Sequence, residues 1–376
     1  MADATRLEPR PVRELVGWQE DPEAPARAKP VALADVYRIP LFAATKLLYA
    51  VAPIALLFRL ANLRGAVDSV RSPLRAELLV SLERHLGPTM SEEHLRLVAR
   101  RHFEFYWRGR LARIWPQIRS FTGAEAVEIE GLDHLDDALA AGRGAIIVST
   151  HFGHARLIKP ILRLRKRDAL LVGVSTRDTK FRDFPQPFTR LGGFVHKRLL
   201  RLPPWSRYEE GWRETVGDDL GTEMNLRPHL AALRRNQLLI MLGDGRGAHA
   251  LWPVPVLGVE AYFSPGPVSI ARSAGVPVLP AFVVDDLRRK DPVGLRLVIH
   301  PPLGLQVSSD ARHDLEVNIR RFAAVFEEQA RTHPHNWHWT WVRGEEDRLV
   351  PYVRQFRRVG TDPETEPPRG RQVPDR

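Results

Sequence analysis

The chain has 376 residues, 44% of them apolar, and no cysteine; that length buries a sizeable core in one large domain or two small ones. The missing thiol excludes disulfides, thiolate metal sites and a cysteine nucleophile. A net charge of +11, carried by 49 arginines against seven lysines, suits anionic partners, because a planar guanidinium makes paired hydrogen bonds to phosphate or carboxylate.

Anionic lipid, an acidic carrier protein and nucleic acid all qualify by charge, and a plain compositional bias toward arginine explains the excess equally well. No nucleic-acid-binding module is recognisable and aromatics do not interleave with basic residues in one stripe, so no nucleic-acid partner is expected.

Residues 1–30 are rich in Pro, Glu, Asp and Arg without periodicity, and residues 359–376 are alike; both are expected to be disordered tails. The opening shows no short apolar core followed by a small-residue cleavage site, so no secretory signal is expected. Residues 31–120 read as an N-terminal helical region. Its most apolar segment is "IPLFAATKLLYAVAPIALLF", Ile39–Phe58, flanked by Arg38 and Arg59. The length is near the roughly 20 residues that cross a bilayer, but Lys46 and Pro53 interrupt it. A membrane-associating helix, lying in or dipping into the cytoplasmic leaflet, is the favoured expectation. A buried helix packed on the domain is the alternative.

Next, Ser91–Ile118 predicts a long helix, with Ser91 as N-cap and Glu92 and Glu93 favourable to the dipole. Phe103, Phe105, Tyr106 and Trp107 are too crowded for one face, so part of that set must meet another helix or lipid. Short strands alternating with helices follow from Ala126. "AVEIEG", "GAIIVST", "ALLVGVS", "QLLIMLGD" and "VPVLPAFVV" read as strands. "LDHLDDALAAG", the stretch from His151 to about Arg165, "LRPHLAALRRN" and "SPGPVSIARSAG" read as helices, the last with Ser264 as N-cap, Pro265 at its first position and Gly275 past its end. Residues 121–345 are therefore expected to be an α/β domain, a mostly parallel or mixed sheet flanked by helices. Leu199–Glu223 reads as a long insertion or mobile loop of the kind that covers sites.

In open parallel sheets, sites form beyond the carboxyl ends of strands. His151 ends "IIVST", Asp244 ends "LLIMLG" and Arg177 lies just past "LLVGVS". A base, an acid and a guanidinium at one rim make a candidate site, although placement alone fits a structural histidine equally well.

The motifs then add up. "HFGHAR" is similar to a histidine motif, HxxxxD/E, found in a context like "HFGNWE"; "VSTRDTKF" and "LLIMLGDGRG" are similar to an arginine segment and to a strand ending in an aspartate. "VPVLGVEAYFSPGPVSIARSAGVPVLPAFV" and "HPHNWHWTWVR" follow in matching order. Over roughly residues 38 to 343 the chain thus resembles the lysophospholipid acyltransferase superfamily, and within it the bacterial lipid A late acyltransferases, lauroyl and myristoyl enzymes that move a fatty acyl chain from acyl carrier protein to a lipid A precursor. The resemblance implies His151 as base for a hydroxyl attacking a thioester, an acid to fix its tautomer, and Arg177 as a substrate-binding residue.

The acid position departs from the family pattern, since residue 156 is arginine. Arginine cannot accept the ring N–H, which leaves three possibilities. Asp244 supplies the carboxylate, His151 works alone, or catalysis is lost and a lipid- or carrier-binding protein remains. Rotated away from His151, Arg156 would suit a phosphate or carboxylate of a different acceptor. Gly245, within "GDGRG", offers backbone N–H groups to a phosphate or oxyanion, a tight turn being the simpler role. His154 lies three residues past His151, yet no third ligand accompanies them and no metal site is expected. Trp337 and Trp339 are expected to pack on the domain or an acyl chain. Ser264 is a cap rather than a nucleophile, as no G-x-S-x-G elbow surrounds it.

The expectation is an acyltransferase, peripheral or monotopic on the cytoplasmic face of the cell inner membrane. It would take acyl carrier protein or a CoA thioester as donor and a glycolipid or lysolipid as acceptor, with no bound cofactor.

Overall fold

The computed structural model describes residues 7–11, 51–72, 74–118, 127–165, 169–172, 219–220, 226–244, 250–286, 293–337 and 348–349, together with positions 36, 37, 40, 44, 48 and 167. A seven-stranded sheet forms its centre, built from β2 (Glu128–Glu130), β3 (Ala145–Ser149), β4 (Ala169–Val172), β5 (Asp219–Leu220), β6 (Leu238–Leu242), β9 (Val278–Asp285) and β10 (Leu295–Ile299). The spatial order is β2-β10-β9-β3-β6-β4-β5. Every pair is parallel except β10 with β9, so the sheet is mixed, as the strand pattern predicts. β3 and β9 are buried at every residue, the continuous apolar type that a sheet covered on both faces demands.

Helices return the chain between these strands: α4 (Leu132–Ala140), α5 (Ile158–Leu164), α6 (Arg227–Arg234) and α7 (Gly266–Ala274). α7 starts one residue later than the sequence suggests. Pro265 is the flanking residue, and Ser264 Oγ accepts the Gly266 N–H at 3.2 Å. Gly275 ends the helix at φ 65°, the left-handed cap position. Asp219–Leu220 pair with β4, so part of the expected loop Leu199–Glu223 is strand; the rest lies outside the described residues.

A smaller sheet, in the order β1-β7-β8-β11, comprises β1 (Arg10–Pro11), β7 (Ala250–Val256), β8 (Val259–Phe263) and β11 (Arg348–Leu349). β7 and β8 are joined by Leu257 and Gly258, both at positive φ, the two-residue loop whose twist matches a hairpin. β1 corrects the expectation of a wholly disordered tail over 1–30. Leu7 is buried in the core, its N–H donates to Glu316 Oε1 at 3.0 Å, and Arg10 pairs with Leu251. A strand edge and an apolar slot outweigh the polar composition around them. α8 (Ala311–Thr332) is opened by Asp310, whose carboxylate accepts from Arg312 and His313 N–H groups, and it inserts Phe322 and Phe326 into the main core.

Among the described residues the helices α1 (Ile54–Arg71), α2 (Leu74–Leu86) and α3 (Glu92–Ile118) precede the sheet. Ser91 caps α3 by accepting the His94 N–H, and Gly65 of α1 lies so close to the α3 backbone at Glu104 that a Cβ has no room. The crowded aromatics divide as their spacing requires. Phe103 and Phe105 are buried, Tyr106 is exposed, and Trp107 donates to Asp68 of α1 at 2.7 Å beneath Arg64.

A single helix over 39–58 is not what forms. Pro53, at ψ 138°, cannot continue a helical turn, and α1 begins after it at Ile54. Leu57 and Phe58 turn into the core, while Leu56, Leu60, Leu63 and Val70 face outward. Among the described residues no helix is long and apolar enough to cross a membrane.

Candidate active site

The register of β3 with β6 assembles the site. Ser149 lies opposite Leu242, so the residues two positions further along, His151 and Asp244, leave the sheet side by side. The Gly243 N–H donates to the Ser149 carbonyl at 2.6 Å, which continues the ladder by one bond. Gly243 must lack a side chain here, because a Cβ would fall 2.6 Å from the Phe322 ring.

Asp244 then holds the histidine twice. Its Oδ2 accepts the His151 backbone N–H at 2.8 Å and its Oδ1 contacts His151 Nδ1 at 2.9 Å. A carboxylate only accepts, so Nδ1 is assigned the proton and Nε2 the lone pair. The Asp244 side chain is 2% exposed and that of His151 20%. The acid is thus dry, and the imidazole edge reaches the rim.

Past His151 the chain makes a tight turn. Phe152 is fully buried, edge-on to Phe282 and Phe326. Gly153 has φ 60°, and a Cβ on it would collide with the Val283 carbonyl. His154 is buried beside the Phe105 ring, with centroids 4.9 Å apart, facing the N-terminal helices. Arg156 is exposed on a single 3-10 turn, Ala155–Leu157. Arg156 does not occupy the acid's seat at Nδ1, because Asp244 does. Arg177, Gly245 and Trp339 lie outside the described residues. Trp337 packs edge-on to Phe326 at 5.1 Å. Among the described residues no group of three or more His, Cys, Asp or Glu could hold a metal ion.

Behind the turn is a polar cluster that the sequence does not signal. Arg108 of α3 forks onto Asp285 at the end of β9, at 2.6 and 2.7 Å, and also donates to Asn62 and to the Val293 carbonyl. The Asp285 backbone is gripped in turn by the residues of the 3-10 turn Pro334–Asn336. Asn336 Oδ1 accepts its N–H at 2.8 Å, and His335 Nε2 donates to its carbonyl at 2.8 Å. His102 Nδ1 reaches the His335 carbonyl at 3.3 Å. Burial pushes the His102 and His335 imidazoles down to about 4, so both are neutral.

An imidazole oriented by a buried carboxylate at the rim of an α/β sheet has the chemistry to take a proton from a hydroxyl. The model of the bacterial lipid A biosynthesis acyltransferases matches residues 34–343, and the chain belongs to that family. Among curated proteins, none matches it.

Proposed function

We propose that the protein transfers a fatty acyl group from a thioester, acyl carrier protein or CoA, to a hydroxyl of a glycolipid or lysolipid. His151 is the base and Asp244 its orienting acid. The contact between Nδ1 and Asp244 Oδ1 at 2.9 Å carries this proposal, since it supplies the carboxylate that residue 156 lacks. It also favours an active enzyme over a lipid-binding homologue.

In the step proposed, Nε2 takes the acceptor's hydroxyl proton as its oxygen attacks the thioester carbonyl. Asp244 stabilises the imidazolium, the tetrahedral intermediate collapses, and the departing thiolate recovers the proton. Ester and thiol are the products, with no cofactor consumed. Arg156 and Arg177 are assigned to anionic groups of the substrates, and the Gly245 N–H to a phosphate or the oxyanion.

We assign membrane association to α1. Its outward Leu56, Leu60, Leu63 and Val70 recur at helical spacing, with Arg59 and Arg71 exposed beside them. An apolar stripe flanked by arginine suits an anionic leaflet, and we assign the protein to the cytoplasmic face of the inner membrane.

Labelled acyl carrier protein and acyl-CoA, offered with a panel of lipid hydroxyl acceptors to wild type, His151→Ala and Asp244→Asn, test this. Transfer by wild type and its loss in both variants is the expected result; undiminished transfer by His151→Ala removes the base. Sedimentation with anionic vesicles, weakened in Leu60→Glu, tests the membrane face.

A further inference from the structure

Three backbone N–H groups of the turn that presents His151 are tethered to three different elements. The His151 N–H is held by Asp244, the Gly153 N–H by the Asn336 carbonyl at 2.9 Å, and the His154 N–H by the Val283 carbonyl at 2.7 Å. The first tether is the acid itself. The Val283 tether belongs to the sheet backbone and does not depend on any side chain at 283. The Gly153 tether rests on side chains outside the proposed proton relay, because the turn that carries the Asn336 carbonyl is docked on Asp285 by the Asn336 amide together with the His335 ring.

That amide is fully buried and grips the Asp285 backbone from both sides. Oδ1 accepts the Asp285 N–H at 2.8 Å, and Nδ2 donates to the Asp285 carbonyl at 3.2 Å. The pairing imitates one rung of a β-ladder, made by a side chain. It docks the 3-10 turn Pro334–Asn336 against the end of β9, two residues from Val283, so both tethers of the turn share one strand end. Gly153 has little room to compensate by shifting toward the sheet, because not even a Cβ fits between it and the Val283 carbonyl.

We propose that Asn336 is a positioning residue for His151. Its amide fixes the turn through Gly153 and so sets the imidazole on Asp244, a role that rests on His151 being the base. Without the amide the turn keeps its His335 contact but loses both side-chain bonds of Asn336 to Asp285, the Asn336 carbonyl shifts under Gly153, and the ring drifts from Asp244. A displacement on the order of 1 Å in a catalytic group costs about a hundredfold in rate. Substrate binding is expected to be unaffected, since Asn336 is fully buried.

The test uses the full chain with Asn336→Ala, and with Asn336→Ser as a milder variant that keeps one hydrogen-bonding atom. Two quantities are read: the kcat and KM of acyl transfer, and the downfield proton resonance of His151 Nδ1, assigned by its absence in His151→Ala. The second needs no substrate. Expected are a ten- to hundredfold lower kcat with KM within about twofold, a smaller drop for Asn336→Ser, and a shifted or broadened Nδ1 proton in both. An unmoved resonance, or wild-type kcat in both variants beside a lowered melting temperature, overturns the proposal and leaves Asn336 a purely structural residue. Turnover surviving in His151→Ala removes the base assignment and this role with it. Turnover lost in His151→Ala yet intact in Asn336→Ala overturns this role alone.

Discussion

Two aspartates at the carboxyl ends of β6 and β9 flank the strand that carries His151, and both are dry. The Asp244 side chain is 2% exposed and that of Asp285 3%. Their partners differ. Asp285 faces the permanently charged Arg108, itself 8% exposed and further bonded to Asn62 and Val293, whereas Asp244 faces an imidazole that is 20% exposed. A fork of two charged hydrogen bonds with no route to solvent is a fastening. A carboxylate behind a half-buried imidazole leaves a proton free to move. Burial of the acid is common to both, so the chemistry and exposure of the partner separate a structural pair from the one proposed to act on substrate.

Breaking each pair sharpens the contrast. Asp244→Asn is expected to lower turnover by about 10²- to 10⁴-fold, the range for general-base assistance, while the denaturation midpoint moves less than in Asp285→Ala, because the amide oxygen can still accept the His151 backbone N–H. Asp285→Ala reverses that order. Removing one partner of a buried ion pair costs about 3–5 kcal/mol, read as a fall in unfolding free energy in urea, since Arg108 loses its fork.

Acid acts on the Asp285 side as well. His102 and His335 stand at about 4 when folded against an ordinary 6.5, so the unfolded chain takes up protons first as pH falls. Their share of stability is intact above 6.5 and is lost between 6.5 and 4. Melting temperature should decline across that window, and less steeply in His102→Gln. The smallest effect is expected at Arg156, where Arg156→Ala should raise KM for an anionic acceptor by about tenfold, as for loss of one charged hydrogen bond, with kcat unchanged.

Much of this was legible because buried parallel strands write themselves as apolar runs that stop at a polar residue. "IIVST" and "LLIMLG" mark the exits to His151 and Asp244 in that way. Their adjacency was not readable, because nothing local states that β3 pairs with β6. Pro53 gave the position of a break inside the apolar segment, but which residues past it turn inward depends on packing against α3. Leu315, Ile319, Phe322, Phe326 and Ala330 do carry the helical period of α8, and Asp310 its cap, a signal the strand-and-helix alternation upstream obscures. Asn336 has no such signal. Its amide replaces a backbone rung, and the sequence shows there only a polar residue between histidine and tryptophan.

The pairing of Ser149 with Leu242 works as a ruler. Each partner of the proposed proton relay stands two residues beyond that mark, although 93 residues of chain separate them. Lengthening either overhang by one residue would carry its side chain about 3.3 Å along the strand and turn it to the opposite face. An insertion in either dipeptide, Thr150–His151 or Gly243–Asp244, would therefore part the pair while leaving both strands in register.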